Sequence, residues 1–195
     1  KASSQWKGSL FAAMGNHECN TATSTNCAEP TANMTAFVDA LVRPLHKEEP
    51  WYVVHLKEND DPGLSVKLVV TACNAWSPEQ RSFVADTLAN DATTYTIVVR
   101  HEPGGDTTAP CVAEVDAMIV KHHVDLLISG HVHTFAHRNG EIIVGNGGAP
   151  STSSQPYGFA TVTLVPGEGF RVVQYDGATD APIDAFMSPS PRDAE

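Results

Sequence analysis

The feature that most constrains this chain is the alternation of short apolar runs with amphipathic helical stretches along its 195 residues. Short apolar runs bounded by turn residues suit buried strands, and helices between them supply the crossovers, so the pattern predicts a layered α/β fold. The strand candidates are Leu10–Met14, Trp51–Leu56, Val66–Ala72, Tyr95–Val99, Val124–Ile128 and Glu141–Val144. Thr31–Leu45 places Met34, Phe37, Val38, Leu41 and Leu45 on one helical face. Ser77-Pro78-Glu79-Gln80 opens a second helix, with a Ser cap, Pro in the first helical position and Gln set to close a capping box. That helix is expected to reach Asn90 and bury Phe83, Val84 and Leu88; a third is expected over Val112–His123. Asp60-Asp61-Pro62-Gly63 predicts a hairpin turn. Gly158–Val165 and Phe170–Tyr175 predict a last antiparallel hairpin around Pro166-Gly167-Glu168-Gly169. From 177 to 195 the composition turns to Pro, Ser, Ala and Asp, which predicts a loose tail. Neither a repeat nor a composition break divides residues 1–195, which read as a single domain.

Charge limits the partners. A formal net charge of -11 repels nucleic acid and anionic membranes, so non-specific binding to either is not expected. A phosphate substrate is not excluded, because bound cations outweigh a distant average charge. No apolar run approaches the roughly 20 residues that span a bilayer, so no transmembrane helix is expected. The sequence has no signal peptide, and Lys1 opens a polar stretch, as expected of a chain trimmed from a longer precursor. Four cysteines allow three pairings. Cys19 and Cys27 bracket a Thr/Ser/Asn-rich loop that suits a local disulfide in an exported protein, leaving Cys73 with Cys111; four buried thiols are the alternative. No two cysteines have the short spacing of a zinc finger.

Three of the apolar runs end alike. Leu10–Met14 leads into Gly15-Asn16-His17-Glu18, Tyr95–Val99 into Arg100-His101-Glu102-Pro103, and Val124–Ile128 into Ser129-Gly130-His131-Val132-His133. In an open α/β sheet, functional groups gather beyond the carboxyl ends of strands, where loops converge. Imidazole and amide oxygen are both metal ligands. In an extended segment, His131 and His133 would point to one side with Cα atoms roughly 6.5–7 Å apart. That span suits two ions roughly 3.5–4 Å apart, one for each His. Gly130 gives the backbone room to turn. Adjacent Asn16 and His17 would diverge, one toward metal and one toward substrate. A lone motif of this kind is usually an ordinary loop; three in order, each at a strand end, point to a metal site.

Gly15-Asn16-His17-Glu18, His101 with Pro103, and Gly130-His131-Val132-His133 resemble the last three signatures of the calcineurin-like metallophosphoesterases. The helix from Gln80 to Leu88, and Ile142-Ile143-Val144-Gly145-Asn146-Gly147-Gly148-Ala149-Pro150, are similar to secreted and purple-acid-phosphatase-like members. The resemblance spans Leu10 to Tyr175 and implies a layered α/β/β/α sandwich. It implies hydrolysis of phosphate mono- or diesters by a dinuclear centre of divalent or mixed-valence ions (Fe, Zn or Mn), with a metal-bridging hydroxide as nucleophile. Asn16, His101 and His131 would bind one metal, His133 the other, and His17 would be the acid beside the leaving group. Glu18 would stand behind the ligands; His137 and Arg138 follow the His pair closely, and lining the substrate pocket is the alternative to an ordinary structural role. His46, His55, His122 and His123 are expected to be structural. The family pattern opens with Asp-x-His and Gly-Asp motifs, whereas Lys1–Met14 holds no Asp and no His. The chain is therefore expected to be the C-terminal portion of a catalytic domain, impaired alone and partnered by an N-terminal fragment carrying those motifs. The alternative is an inactive mononuclear metal-binding or interaction module.

Overall fold

A computed structural model describes residues 8–19, 27, 30–57, 64–90, 92–138, 140–150 and 154–191. The apolar runs assemble into a six-stranded sheet of order β1-β2-β3-β4-β6-β5. These strands are β1 (Tyr52–Lys57), β2 (Ser65–Val70), β3 (Tyr95–Val99), β4 (Leu126–Ser129), β5 (Phe135–Arg138) and β6 (Glu141–Val144). Strands β2, β3, β4 and β6 run parallel, while β1 and β5 are antiparallel edges. The expected turn at Asp60-Asp61-Pro62-Gly63 lies outside the described residues.

Both faces of the sheet are covered, so its strands are apolar on both sides. Val69, Val98 and Leu127 face helices α2 (Pro78–Ala89) and α3 (Val112–Lys121), packing with Val84, Leu88, Val112 and Val115. Tyr95, Ile97, Leu126 and Ile142, offset by the period of two, face Phe170 and Val172 of a second sheet. Buried polar residues interrupt the apolar pattern on the helix side, Lys67 and Thr96 among them. Lys67 is buried, and its ammonium donates to the Thr87 carbonyl at 2.7 Å and to that of Asn90, capping the negative end of α2.

The second sheet has three antiparallel strands, β7 (Gly158–Val165), β8 (Gly169–Asp176) and β9 (Pro182–Ser188). The expected hairpin is β7–β8. Strand β9 corrects the expectation of a loose tail from 177 onward. Its side chains are mostly exposed, so they carry no buried-strand signal; the Asp176-Gly177-Ala178-Thr179 turn and the β8 ladder make it a strand.

Three other expectations change in detail. Leu10–Met14 joins no ladder; the Ala12 carbonyl accepts from the Tyr52 hydroxyl at 2.8 Å, while Met14 is buried against Ala72 and Ala75. The stretch 31–45 starts on the expected Thr31 cap, whose Oγ1 accepts from the Met34 amide at 3.1 Å. Only Ala32–Phe37 (α1) is α-helical; Val38–Val42 is a π turn and Arg43–Leu45 a tight 3-10 turn. Pro44 explains the change, having no N–H for the preceding turn and a ring that crowds its carbonyl. Ser77 caps α2 through the Gln80 amide at 3.1 Å, but Gln80 does not close a capping box. Its buried side chain instead bonds the Ala72 amide, the Ala72 carbonyl and the Ala75 carbonyl at 2.9, 3.1 and 2.8 Å.

Both expected cysteine pairs are bonded, Cys19–Cys27 and Cys73–Cys111. Among the described residues, no helix is long and apolar enough to cross a membrane.

Candidate metal centre

Parallel pairing brings the His101 and His131 loops together. Val99 of β3 lies opposite Ile128 of β4, and the ladder continues past both strands: Arg100 N donates to Ile128 O at 3.1 Å, and Gly130 N to His101 O at 2.8 Å. The loop after β4 is not extended, as the spacing of its histidines suggested. Val132 N bonds Gly130 O and Thr134 N bonds Val132 O, at 2.7 and 2.6 Å, giving two successive tight turns. The left-handed residue is His131 (φ 61°), not Gly130. That conformation costs a non-glycine residue about 1–2 kcal/mol, and it aims His131 and His133 at different partners. Gly145 lets this loop lie against the end of β6, since a Cβ there would be 1.9 Å from Val132 O.

Gly15-Asn16-His17-Glu18 reaches the same place from outside the sheet. Asn16–Cys19 forms one 3-10 turn, with the Glu18 carboxylate accepting from Gly15 N at 2.8 Å. Thr31 Oγ1 donates to Glu18 O, and Asn33 Nδ2 to His17 O at 3.3 Å, tying the turn to α1. Glu18 therefore braces the backbone of the Asn16 loop.

Three donor atoms meet here. Asn16 Oδ1 lies 3.0 Å from His101 Nε2, which lies 3.1 Å from His131 Nδ1. The two imidazoles are edge-to-face, with centroids 4.9 Å apart. Asn16 is 2% exposed, and both histidines are partly buried. With the Asn16 amide oxygen turned toward the ring, hydrogen bonding alone does not account for both contacts. If His101 Nε2 carries a proton it can donate to Asn16 Oδ1, but it then has no lone pair for His131; without the proton, it faces another acceptor in Oδ1. A cation satisfies all three. Ligands bonded to one ion at about 2.0–2.1 Å lie only a few ångströms from one another, so the two contacts are compatible with a shared cation. The donor set therefore fits a metal ion. It contains two imidazoles and an amide; among the described residues, no three His, Cys, Asp or Glu side chains gather around one point.

Electrostatics favour ligation. Burial, and then the charges of His131, His17 and His133, hold His101 down to about 4, with Asp106 opposing them. His101 is thus neutral and able to bind a cation near neutral pH. His17 is exposed and near enough for its charge to be felt at His101, but it is not among the three converging atoms. His133 also stands apart: its Nδ1–H donates to Pro150 O at 2.8 Å, which places the ring's lone pair on Nε2. Asp106 was not singled out from the sequence. Burial works against its charge, but the Thr108 hydroxyl and amide and the charge of His131 hold it below the usual carboxylate range. An acid five residues after His101, beyond a Gly-Gly turn, was its only signal. Burial pushes neighbouring Glu102 up to about 7.

His137 and Arg138 are engaged by neighbouring side chains. His137 stacks on Phe186 at 3.7 Å and sits 3.4 Å from Asp184, joining the two sheets. Arg138 bonds Glu141 and the Gly104 carbonyl. Both belong to the β5 edge, a strand that the sequence did not announce because its hydrophobic run is too short.

Gly15 touches the His101 ring so closely that a Cβ would come 2.8 Å from Cγ and 2.9 Å from two further ring atoms. Gly15→Ala is therefore expected to displace the ring from Asn16 and weaken zinc binding by about 10–100-fold, the size of effect seen when a ligand loses its orientation. A calorimetric zinc titration of the variant checks this; wild-type affinity would show that the close contact does not hold the ring.

Comparison with curated proteins finds no match for this chain. The family described as calcineurin-like phosphoesterase matches residues 2–135. That stretch contains all three histidine loops and most of the six-stranded mixed sheet, with helices packed against it. The chain belongs to the calcineurin-like phosphoesterase family.

Proposed function

We propose that this protein is a metal-dependent hydrolase of phosphate mono- or diesters, with Asn16, His101 and His131 holding one ion. The observation that carries the reading is the meeting of those three donors at 3.0 and 3.1 Å around a single shared nitrogen. His133, with its lone pair on Nε2, would serve a second ion, and a phosphoester would be the partner at the mouth of the site. Imidazole and amide donors suit Zn or Fe and admit Mn. When bound, such ions supply positive charge to phosphate oxygens and lower the pKa of a water. His17 stands exposed beside the cluster and would give a proton to the departing alkoxide. Asn33 bonds its carbonyl and Thr31 that of Glu18, so the backbone that presents the ring is held without a metal. Asp106, near His131, would keep local positive charge in check. Two disulfides suit an exported protein working in an oxidising compartment.

A specific observation favours a second reading. Among the described residues the convergent set serves one ion, and no carboxylate bridges it to His133. A mononuclear, non-hydrolytic binding module would look the same. Assaying p-nitrophenyl phosphate and bis-p-nitrophenyl phosphate, with metal analysis of the same sample, separates the two. Hydrolysis of either ester that disappears with EDTA and returns with Zn or Mn is the expected result. Bound metal with no turnover of either ester would favour the binding module.

A further inference from the structure

We infer that Glu141, together with Arg138, is a positioning pair that sets the spacing of the two histidine loops; this rests on reading Asn16, His101 and His131 as a metal set. Glu141 opens β6, pairs with Leu127 of β4, and is 5% exposed. Its Oε1 accepts from Gly104 N at 2.8 Å, in the loop that carries His101. The same oxygen accepts from Ser129 Oγ at 2.9 Å, two residues before His131. One carboxylate oxygen thus joins both loops. Its Oε2 accepts from Arg138 Nε at 2.5 Å, and the other arm of Arg138 reaches Gly104 O, so the N–H and C=O of Gly104 are gripped by a single ion pair.

The next residue is held in the same way. Asp116 Oδ2 accepts from Gly105 N at 2.8 Å, while buried Arg100 bonds Asp116 Oδ1 at 2.6 Å and the Glu102 carbonyl at 2.7 Å. Two arginine–carboxylate pairs therefore fasten successive residues of a Gly-Gly turn whose second glycine is exposed. Such a turn is costly to order, because glycine loses more freedom than any other residue. Each carboxylate takes one charge-assisted contact from its arginine and one from a turn amide, which restrains the turn. Of the two, the Glu141 pair also reaches the His131 side, adding a side-chain tie to the backbone bond from Gly130 N to His101 O that already joins the two loops.

The test is a calorimetric titration of Zn²⁺ alone into metal-free wild type, His131→Ala, Glu141→Gln, Arg138→Ala and Arg138→Lys, with visible spectra of the Co²⁺-loaded forms. Glu141→Gln and Arg138→Ala are expected to bind Zn²⁺ about 10–100-fold more weakly, with altered Co²⁺ bands, because ligands that lose their support lose their geometry. Arg138→Lys, which keeps the charge on Glu141, is expected to recover part of the loss. Should Glu141→Gln lose its fold by circular dichroism, Arg138→Ala decides, since that side chain is 56% exposed and tolerates truncation. Wild-type affinity and spectrum in Arg138→Ala, or in a folded Glu141→Gln, would overturn the positioning role while leaving the metal reading intact. If wild type takes up no Zn²⁺ in a His131-dependent manner, the metal reading fails and the positioning role fails with it.

Discussion

His131→Ala is expected to remove metal and esterase activity together, whereas His17→Ala keeps metal and loses turnover. The two residues lie in different loops, and the contacts separate their roles. His131 Nδ1 is 3.1 Å from His101 Nε2, inside the three-donor set, so its loss leaves only Asn16 and His101. Losing a supporting group behind a ligand already weakens binding about 10–100-fold, so losing a ligand is expected to exceed that range. His17 contributes no atom to the set, and its backbone is held independently by Asn33. Removing a general acid lowers turnover by about 10²–10⁴-fold, with metal content unchanged. Metal analysis and kcat on both variants check the pair; equal metal loss in the two would refute the assignment of roles.

The second large effect concerns stability. Cys73 and Cys111 are both 0% exposed, packed with Trp76, Val84, Leu88, Val112 and Val115 beneath helices α2 and α3. Their bond spans 38 residues, enclosing α2, β3 and the His101 loop. Cross-linking a stretch of that size removes freedom from the unfolded chain, and losing such a bond costs about 2–5 kcal/mol. Replacing both cysteines by Ala is expected to lower the urea midpoint accordingly. Dithiothreitol should lower the midpoint of wild type by more than that of the double variant, which keeps only the Cys19–Cys27 bond. The Cys19–Cys27 bond spans only 8 residues and is expected to contribute less to stability, because the closed loop is shorter. Indifference of the wild-type midpoint to reductant under denaturing conditions would contradict both expectations.

Much of the fold was legible in the chain itself. Tyr95–Val99 and Glu141–Val144 are strands with the limits their apolar runs suggested, and Ser77-Pro78 opens α2. These are local signals, written in neighbouring side chains. Where local and tertiary demands diverge, the reading stops. Leu10–Met14 looks like a strand by composition, yet its carbonyl at Ala12 is taken by the Tyr52 hydroxyl instead of a neighbouring strand. Gln80 sits where a capping box would use it, but a buried backbone at Ala72 and Ala75 claims its amide. Strand β9 has almost no buried face, so only pairing with β8 reveals it.

The site divides along the same line. That Asn16, His101 and His131 each follow an apolar run was written in the sequence, because a strand and the turn that ends it are decided within a few residues. Their approach to within 3.0 and 3.1 Å was decided by the parallel β3–β4 register, by the close seat of Gly15 on the His101 ring, and by the left-handed turn at His131. Arg138 and Glu141 became part of the same arrangement only when β5 and β6 brought them to Gly104. Periodicity encodes which face a residue takes; the distance between two loops far apart in the chain depends on how strands pair and which backbone groups remain to be satisfied, and that is a property of the folded whole.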